Sequence, residues 1–159
     1  LDVIHCKTAK LFEAAAQLGA VLCDATPEQE QAMAKFGMHL GTAFQLVDDV
    51  LDYSASPDEM GKNVGDDLAE GKPTLPLIRA MHQGTSEQAK IIRHAIEAGG
   101  RNNIEAVTQI IESTDAITYT ANKAREEADL AIQYLQVLPS TIYTDALKTL
   151  ADFSVSRTY

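Results

Sequence analysis

The stretch FQLVDDVLD, residues 44–52, sets three carboxylates, Asp48, Asp49 and Asp52, inside an apolar run that holds no basic residue. On a helix, Asp48 and Asp52 are i,i+4 neighbours and Asp49 and Asp52 are i,i+3, so all three project from one broad face within about one turn. Uncompensated, each like-charge pair costs roughly 0.2–0.5 kcal/mol. A solvated acidic helix end would tolerate this charge. A hard divalent cation would remove the cost, because Mg²⁺ prefers oxygen ligands, uses one or two carboxylates, keeps water and shares phosphate oxygens. The flanks Phe44, Leu46, Val47, Val50 and Leu51 argue against a fully exposed face.

Outward from this stretch the pattern is helical in both directions. Upstream, ATPEQEQ supplies a start signal, with Thr26 as N-cap, Pro27 at the first helical position, and Glu28 and Glu30 at the positive end of the dipole. The helix so begun runs to about Tyr53 and carries Gly37 and Gly41, whose lack of a side chain permits close approach. An earlier helix spans about 3–24, with Val3, Lys7, Leu11 and Ala14 at helical spacing and Ile4, Phe12 and Ala15 widening the stripe.

Downstream, SASPDEMGKNVGDDLAEGKPT breaks the periodicity with Pro57, Gly61, Gly65, Gly71 and Pro73, and is the one long loop candidate. After it come LPLIRAMHQ, SEQAKIIRHAIEAG, NIEAVTQIIES, a long helix from about 115 to 138, and a last helix from about 141 to 156. There is no repeat and no β-alternation, so the expected fold is all-α, helices packed on helices.

The 159 residues suffice for one domain with a core, and 45% hydrophobic against 23% charged residues is a globular composition. A formal net charge of −10 disfavours nucleic acid, whose backbone calls for a basic surface. Cys6 and Cys23 fit no zinc spacing and read as free thiols in a reducing compartment. No apolar stretch reaches the ~18 residues of a membrane span, and no secretory leader is expected from these residues. The chain opens without Met, already inside a helical pattern, as expected of a piece of something longer.

Lys7, Lys62 and Lys72 sit beside Thr8, Gly61 and Gly71. A Gly before a Lys lets backbone and ammonium reach a phosphate together, although each lysine taken singly is an ordinary surface residue. Asp66 and Asp67 are read as turn formers or as supporting carboxylates. The four histidines show no ligand spacing. KAREEAD (123–129) is read as an exposed helix face, and Phe12, Phe36 and Phe153 as core.

Taken together, KTA at 7–9, FQLVDDVLD at 44–52 and GKNVGDDLAEGKPTLPLI at 61–78 resemble, in this order, the motifs of trans-isoprenyl diphosphate synthases. Over essentially all 159 residues the chain is similar to the C-terminal half of a long-chain, octaprenyl-forming member. The resemblance implies a bundle of long helices around a deep cavity, a cytoplasmic homodimer, and repeated condensation of isopentenyl diphosphate onto an allylic diphosphate such as farnesyl diphosphate. The implied product is a long chain of the kind that serves as the side chain of ubiquinone. It further implies Mg²⁺ at Asp48, with Asp49 and Asp52 completing the acidic shell. Lys7, Lys62 and Lys72 would grip the allylic diphosphate, Thr8 and Gln45 would lie beside the developing allylic cation, and Phe44 would lie near the isopentenyl group. A loop over 54–72 would order around the diphosphate.

The family's first Asp-rich motif and its Gly-Lys and Arg-Arg isopentenyl-binding elements, which lie upstream of K-T-A, do not occur in these residues. Residues 1–159 are therefore expected to be the C-terminal portion of a catalytic domain, inactive alone. Two other readings are a non-catalytic helical partner of a synthase and an acidic interaction module without a ligand.

Overall fold

Alanine-rich, weakly β-branched sequence favours helices. The computed structural model describes residues 1–54, 65–99 and 103–156, and no strand occurs among them. The chain begins with a single α-turn, α1 (Asp2–Ile4), passes through a π-helical turn (His5–Ala9), and resumes as α2 (Lys10–Leu22). One uninterrupted helix was the expectation; instead the Lys10 N–H reaches back to the His5 carbonyl, closing the wider π ring. Thr26 caps α3 (Pro27–Ser54) as read from sequence: its hydroxyl accepts from the Gln29 N–H at 3.3 Å, and the Gln29 side chain accepts from the Thr26 N–H at 3.1 Å. Then follow α4 (Asp66–Ala69), α5 (Leu75–Gln83), α6 (Ser86–Ala98), α7 (Ile104–Ser113), α8 (Ala116–Tyr134) with a 3₁₀ turn at Leu135–Val137, and α9 (Ile142–Ser156). No described helix is long and apolar enough to cross a membrane.

The chain divides into two compact units. The first comprises Leu1–Val47 and Lys123–Thr158. Its core gathers Phe36, Leu40, Ala131, Leu135 and Ala151, with Phe12, Met33 and Leu147 packed against them. Phe153, expected in this core, is instead 60% exposed, whereas Phe36 is at 3%. Segment 123–129 is not simply an exposed face: Ala124 and Ala128 are fully buried, and Glu127 pairs with His39 Nδ1 at 2.7 Å. His39 also stacks on Tyr134, ring centroids 5.4 Å apart, so that histidine has a structural role.

Helix α2 lies so close to α3 that Gly37 has no room for a side chain. A Cβ there would collide with the backbone carbonyl of Phe12 and come within 2.9 Å of the Ala16 Cβ. Gly19, on the same pair of helices, would meet nothing within 4 Å. The two glycines should therefore respond oppositely to alanine. Intrinsic propensity favours Ala over Gly by about 1 kcal/mol in a helix, and overpacking costs about 1–3 kcal/mol. A backbone atom cannot rotate away, so the clash wins at Gly37. Gly19→Ala should raise the melting temperature by a few degrees and Gly37→Ala lower it, at about 2–4 °C per kcal/mol for a chain of this size. Equal effects at both positions would refute the close approach.

The second unit comprises Asp48–Asn122. Tyr53, Leu68, Leu77, Ile92, Val107 and Ile111 form its core, with Met81 and Ile104 packed against it. Thr85 caps α6 through a full capping box with Gln88. Arg79 sets its guanidinium 4.2 Å from the centroid of the Tyr119 ring. Gly65 leads into α4 with φ +80°, a conformation that only glycine adopts without strain, and its N–H donates to the Asp52 carbonyl at 2.9 Å.

Candidate functional site

In the first unit the π-turn presents Lys7, exposed, and Thr8, half-buried. Thr8 Oγ1 donates to Gln45 Oε1 at 3.0 Å, a bond spanning 37 residues that joins the K-T-A and F-Q-x-x-D-D motifs. Both side chains are uncharged, so together they form a neutral, oxygen-bearing pair. One residue before it, Phe44 is 37% exposed, with its ring 5.8 Å from that of Phe12. A cavity of about 320 Å³ in this unit, lined in part by Glu13, Gln17, Glu30 and Lys35, touches none of the candidate residues.

In the second unit the three aspartates differ sharply. Asp48 is exposed, Asp49 is buried at 4%, and Asp52 is half-buried. Asp52 holds α4 in place: its Oδ1 accepts the Asp66 N–H at 3.1 Å and its Oδ2 the Asp67 N–H at 3.3 Å. Burial, and next the nearby Asp67 carboxylate, push the Asp52 carboxyl up from 3.8 to about 6, against the pull of those N–H groups. Above that pH its charge opposes folding. Acidification through about 6 relieves the cost, and below 3.8 the group is protonated in both states and contributes nothing.

Lys72 reaches Glu70 Oε2 at 2.7 Å and Asp67 Oδ1 at 2.9 Å, and these hydrogen bonds push its ammonium well above the usual lysine range. Its side chain remains 41% exposed, so the lysine is tethered yet reachable. Burial likewise pushes the Tyr53 phenol up. Tyr53 Oη and Thr74 Oγ1 lack partners of good geometry, although the Thr74 hydroxyl is near enough to offset part of that push. Lys62, with Gly61, falls in 55–64 and lies outside the described residues, as does most of the loop expected to order around a diphosphate.

Among the described residues no three His, Cys, Asp or Glu side chains converge as a metal cage. The donor set does fit the sparser mode of Mg²⁺, one or two carboxylates completed by water and phosphate. Asp48 is exposed, Asp52 is half-buried with its carboxyl pushed up to about 6 by burial, and buried Asp49 is the least accessible of the three.

The pairing of Thr8 with Gln45 could not be read from either motif alone. Nor could the tether on Lys72, although acidic residues two and five positions before it were a visible signal.

Residues 1–114 match the polyprenyl synthetase family. The octaprenyl diphosphate synthase of Escherichia coli is 54% identical over 158 residues, covering 99% of this chain and 49% of that protein. The all-trans-nonaprenyl-diphosphate synthase (geranyl-diphosphate specific) of Rhodobacter capsulatus is 43% identical over 157 residues, with 99% and 48% covered. In three dimensions the chain resembles a Caulobacter crescentus polyprenyl synthase solved in complex with calcium and isoprenyl diphosphate. The TM-score is 0.89 at 38% identity, covering 98% of this chain and 48% of the other. The chain thus spans about half the length of the curated relatives it matches.

Proposed function

The chain belongs to the polyprenyl synthetase family, and on that premise we propose that it forms part of a trans-prenyltransferase that condenses isopentenyl diphosphate onto an allylic diphosphate. The observation that carries this reading is the Thr8–Gln45 hydrogen bond, which gathers two neutral oxygen donors from separate motifs. The reaction breaks the allylic C–O bond, with the electron pair leaving on diphosphate. The isopentenyl double bond then closes a C–C bond to the allylic carbon, and the resulting cation loses a proton. Thr8 and Gln45 oxygens stabilise positive charge without capturing it as strong nucleophiles would. The cations of Lys7, Lys62 and Lys72 oppose the charge that grows on the leaving group. The departed diphosphate can accept the final proton, so no side-chain base is required. Asp48 and Asp52, supported by Asp49, are the residues that would hold Mg²⁺, which when bound supplies fixed positive charge to phosphate oxygens. The same reading makes the enzyme a cytoplasmic homodimer with a long, octaprenyl-class product for quinone side chains. The identity to an octaprenyl diphosphate synthase supports that product class.

The test is an assay of the full-length protein carrying this segment, with farnesyl diphosphate, isopentenyl diphosphate and Mg²⁺; absence of elongation would overturn the reading. Lys72 offers a sharper arm with two signs. A hydrogen bond to a charged group contributes about 1.5–3 kcal/mol, so Lys72→Ala should raise the KM for the allylic diphosphate about 10–100-fold. Glu70→Gln loosens the tether on Lys72 and should lower that KM about 2–5-fold, as expected of a partly exposed pair. An unchanged KM in Lys72→Ala would remove Lys72 from the diphosphate site.

A further inference from the structure

We propose that Tyr53 is a positioning residue for Lys72, its hydroxyl acting through the hydroxyl of Thr74; this rests on the reading of Lys72 given above. Tyr53 directly follows Asp52 in sequence, and Thr74 follows Lys72 by two residues. Both are buried, Tyr53 at 7% and Thr74 at 9%. Among the described residues neither Tyr53 Oη nor Thr74 Oγ1 has a partner of good geometry, although the two hydroxyls lie near one another. A buried hydroxyl without a well-made hydrogen bond lowers stability. The Tyr53 ring belongs to the core of the second unit, and a phenylalanine ring would fill that place without the cost. Core packing therefore accounts for the ring and not for the hydroxyl.

Thr74 carries the same mark. It is the N-cap of α5 in extended conformation, with ψ 164°, where a threonine hydroxyl ordinarily accepts from the first N–H groups of the helix. It makes no such bond. Two buried hydroxyls, each explained by neither core nor cap, thus sit together beside the lysine turn.

The backbone of Lys72 is held from both sides. Its N–H donates to the Asp67 carbonyl at 2.9 Å, and the Asp67 N–H donates to Asp52 Oδ2 at 3.3 Å, which leads back to the end of α3. Its carbonyl accepts the Thr74 N–H at 3.0 Å across Pro73, whose ring fixes φ. A bond between the Thr74 and Tyr53 hydroxyls returns this second route to α3 as well. It closes a ring of contacts that runs from Asp52 through Asp67, Lys72 and Thr74 to Tyr53. The other non-covalent links of that ring are formed hydrogen bonds. Burial, and beyond it the carboxylates of Asp52, Asp67 and Asp49, push the phenol up, so it keeps its proton and can donate. Hydrogen bonds that serve a reaction are often poorly aligned before substrate arrives and tighten in the complex. Making this one as Lys72 takes up the diphosphate fixes the lysine turn against the aspartate helix.

The experiment uses the full-length protein carrying this segment, with the two diphosphate substrates varied separately and Lys72→Ala as the reference. Tyr53→Phe removes only the hydroxyl. It should raise the KM for the allylic diphosphate about 3–10-fold, the equivalent of one neutral hydrogen bond, and leave the KM for isopentenyl diphosphate within about twofold. Its melting temperature should be unchanged or higher. Thr74→Val should repeat the KM effect, and Thr74→Ser, which keeps the hydroxyl, should restore the normal value. Tyr53→Phe/Thr74→Val should be no worse than either single variant, and Tyr53→Phe added to Lys72→Ala should raise the KM no further. Unchanged KM values in Tyr53→Phe and Thr74→Val, or both KM values raised alike, would reduce the pair to structure and overturn the proposal. A further rise on the Lys72→Ala background would overturn it too, since the hydroxyl would then act through the aspartates. No allylic effect in Lys72→Ala itself overturns the reading of Lys72. An effect there without one in Tyr53→Phe overturns the positioning role alone.

Discussion

Asp48→Ala in the full-length protein should lower kcat/KM by about 10²–10³ while leaving the fold intact, the scale set by removing one fixed electrostatic contact to a transition state. Asp48 is the informative member of its cluster because it is exposed. Its neighbours confuse chemistry with folding. Asp52 accepts two backbone N–H groups from the start of α4, and Asp49 is buried at 4%, so alanine at either would loosen structure as well. At exposed Asp48 the stability change should be within about 1 kcal/mol. The measurement pairs steady-state kinetics at saturating Mg²⁺ with thermal melting. Near-normal turnover would sink the assignment of Asp48 to the metal. A large activity loss accompanied by an equally large drop in melting temperature would show only that the helix end had been damaged. Asp48→Asn provides a second check: it keeps the size, removes the charge, and should behave like Ala if charge is what matters.

How far the sequence carried this picture depended on the range of the interaction. Local signals read well. Thr26 and Pro27 mark a helix start through contacts within four residues, and the Thr26 cap forms as expected, with Gln29 as the partner the sequence reading did not name. Binary patterning and the absence of alternation led to an all-helical fold, since helical periodicity is a short-range property. What escaped was set by packing between distant segments. The π-turn at His5–Ala9 leaves no mark on periodicity over a window of a few residues. The burial difference among Asp48, Asp49 and Asp52 depends on what covers each side of one helical turn, which their spacing cannot tell. The pairing of His39 with Glu127 spans 88 residues and lies beyond any local pattern. For the site, the motifs carried the residue identities through resemblance. The bond from Thr8 to Gln45 and the contact between the Phe12 and Phe44 rings are tertiary facts, whereas the tether on Lys72 reaches back only two and five residues.

A polypeptide of residues 1–159 alone should make no elongated product, the all-or-none counterpart of the Asp48 result. Two-substrate condensation depends on holding both reactants in register, and effective concentration can account for about 7–11 kcal/mol of the barrier. The 159 residues contain candidates for the allylic diphosphate and for one carboxylate wall, but neither the first Asp-rich motif nor the basic isopentenyl-binding elements that the resemblance calls for. They also span only 49% of the Escherichia coli relative. In the first unit, helix α2 exposes Leu11 at 73% and Leu22 at 83%, and α9 exposes Ile142 at 77% and Phe153 at 60%. Large exposed apolar side chains of this kind favour self-association. The purified polypeptide, assayed with farnesyl diphosphate, isopentenyl diphosphate and Mg²⁺, should therefore be inactive and should elute as more than a monomer. Adding the separately expressed part of the Escherichia coli enzyme that this chain does not cover tests whether the deficit is one of missing parts. Recovery of product on mixing would say that these residues are competent once complemented. Robust elongation by residues 1–159 alone would mean that a complete two-substrate site lies within them, and that the carboxylates and lysines assigned here to half of a site have been misassigned.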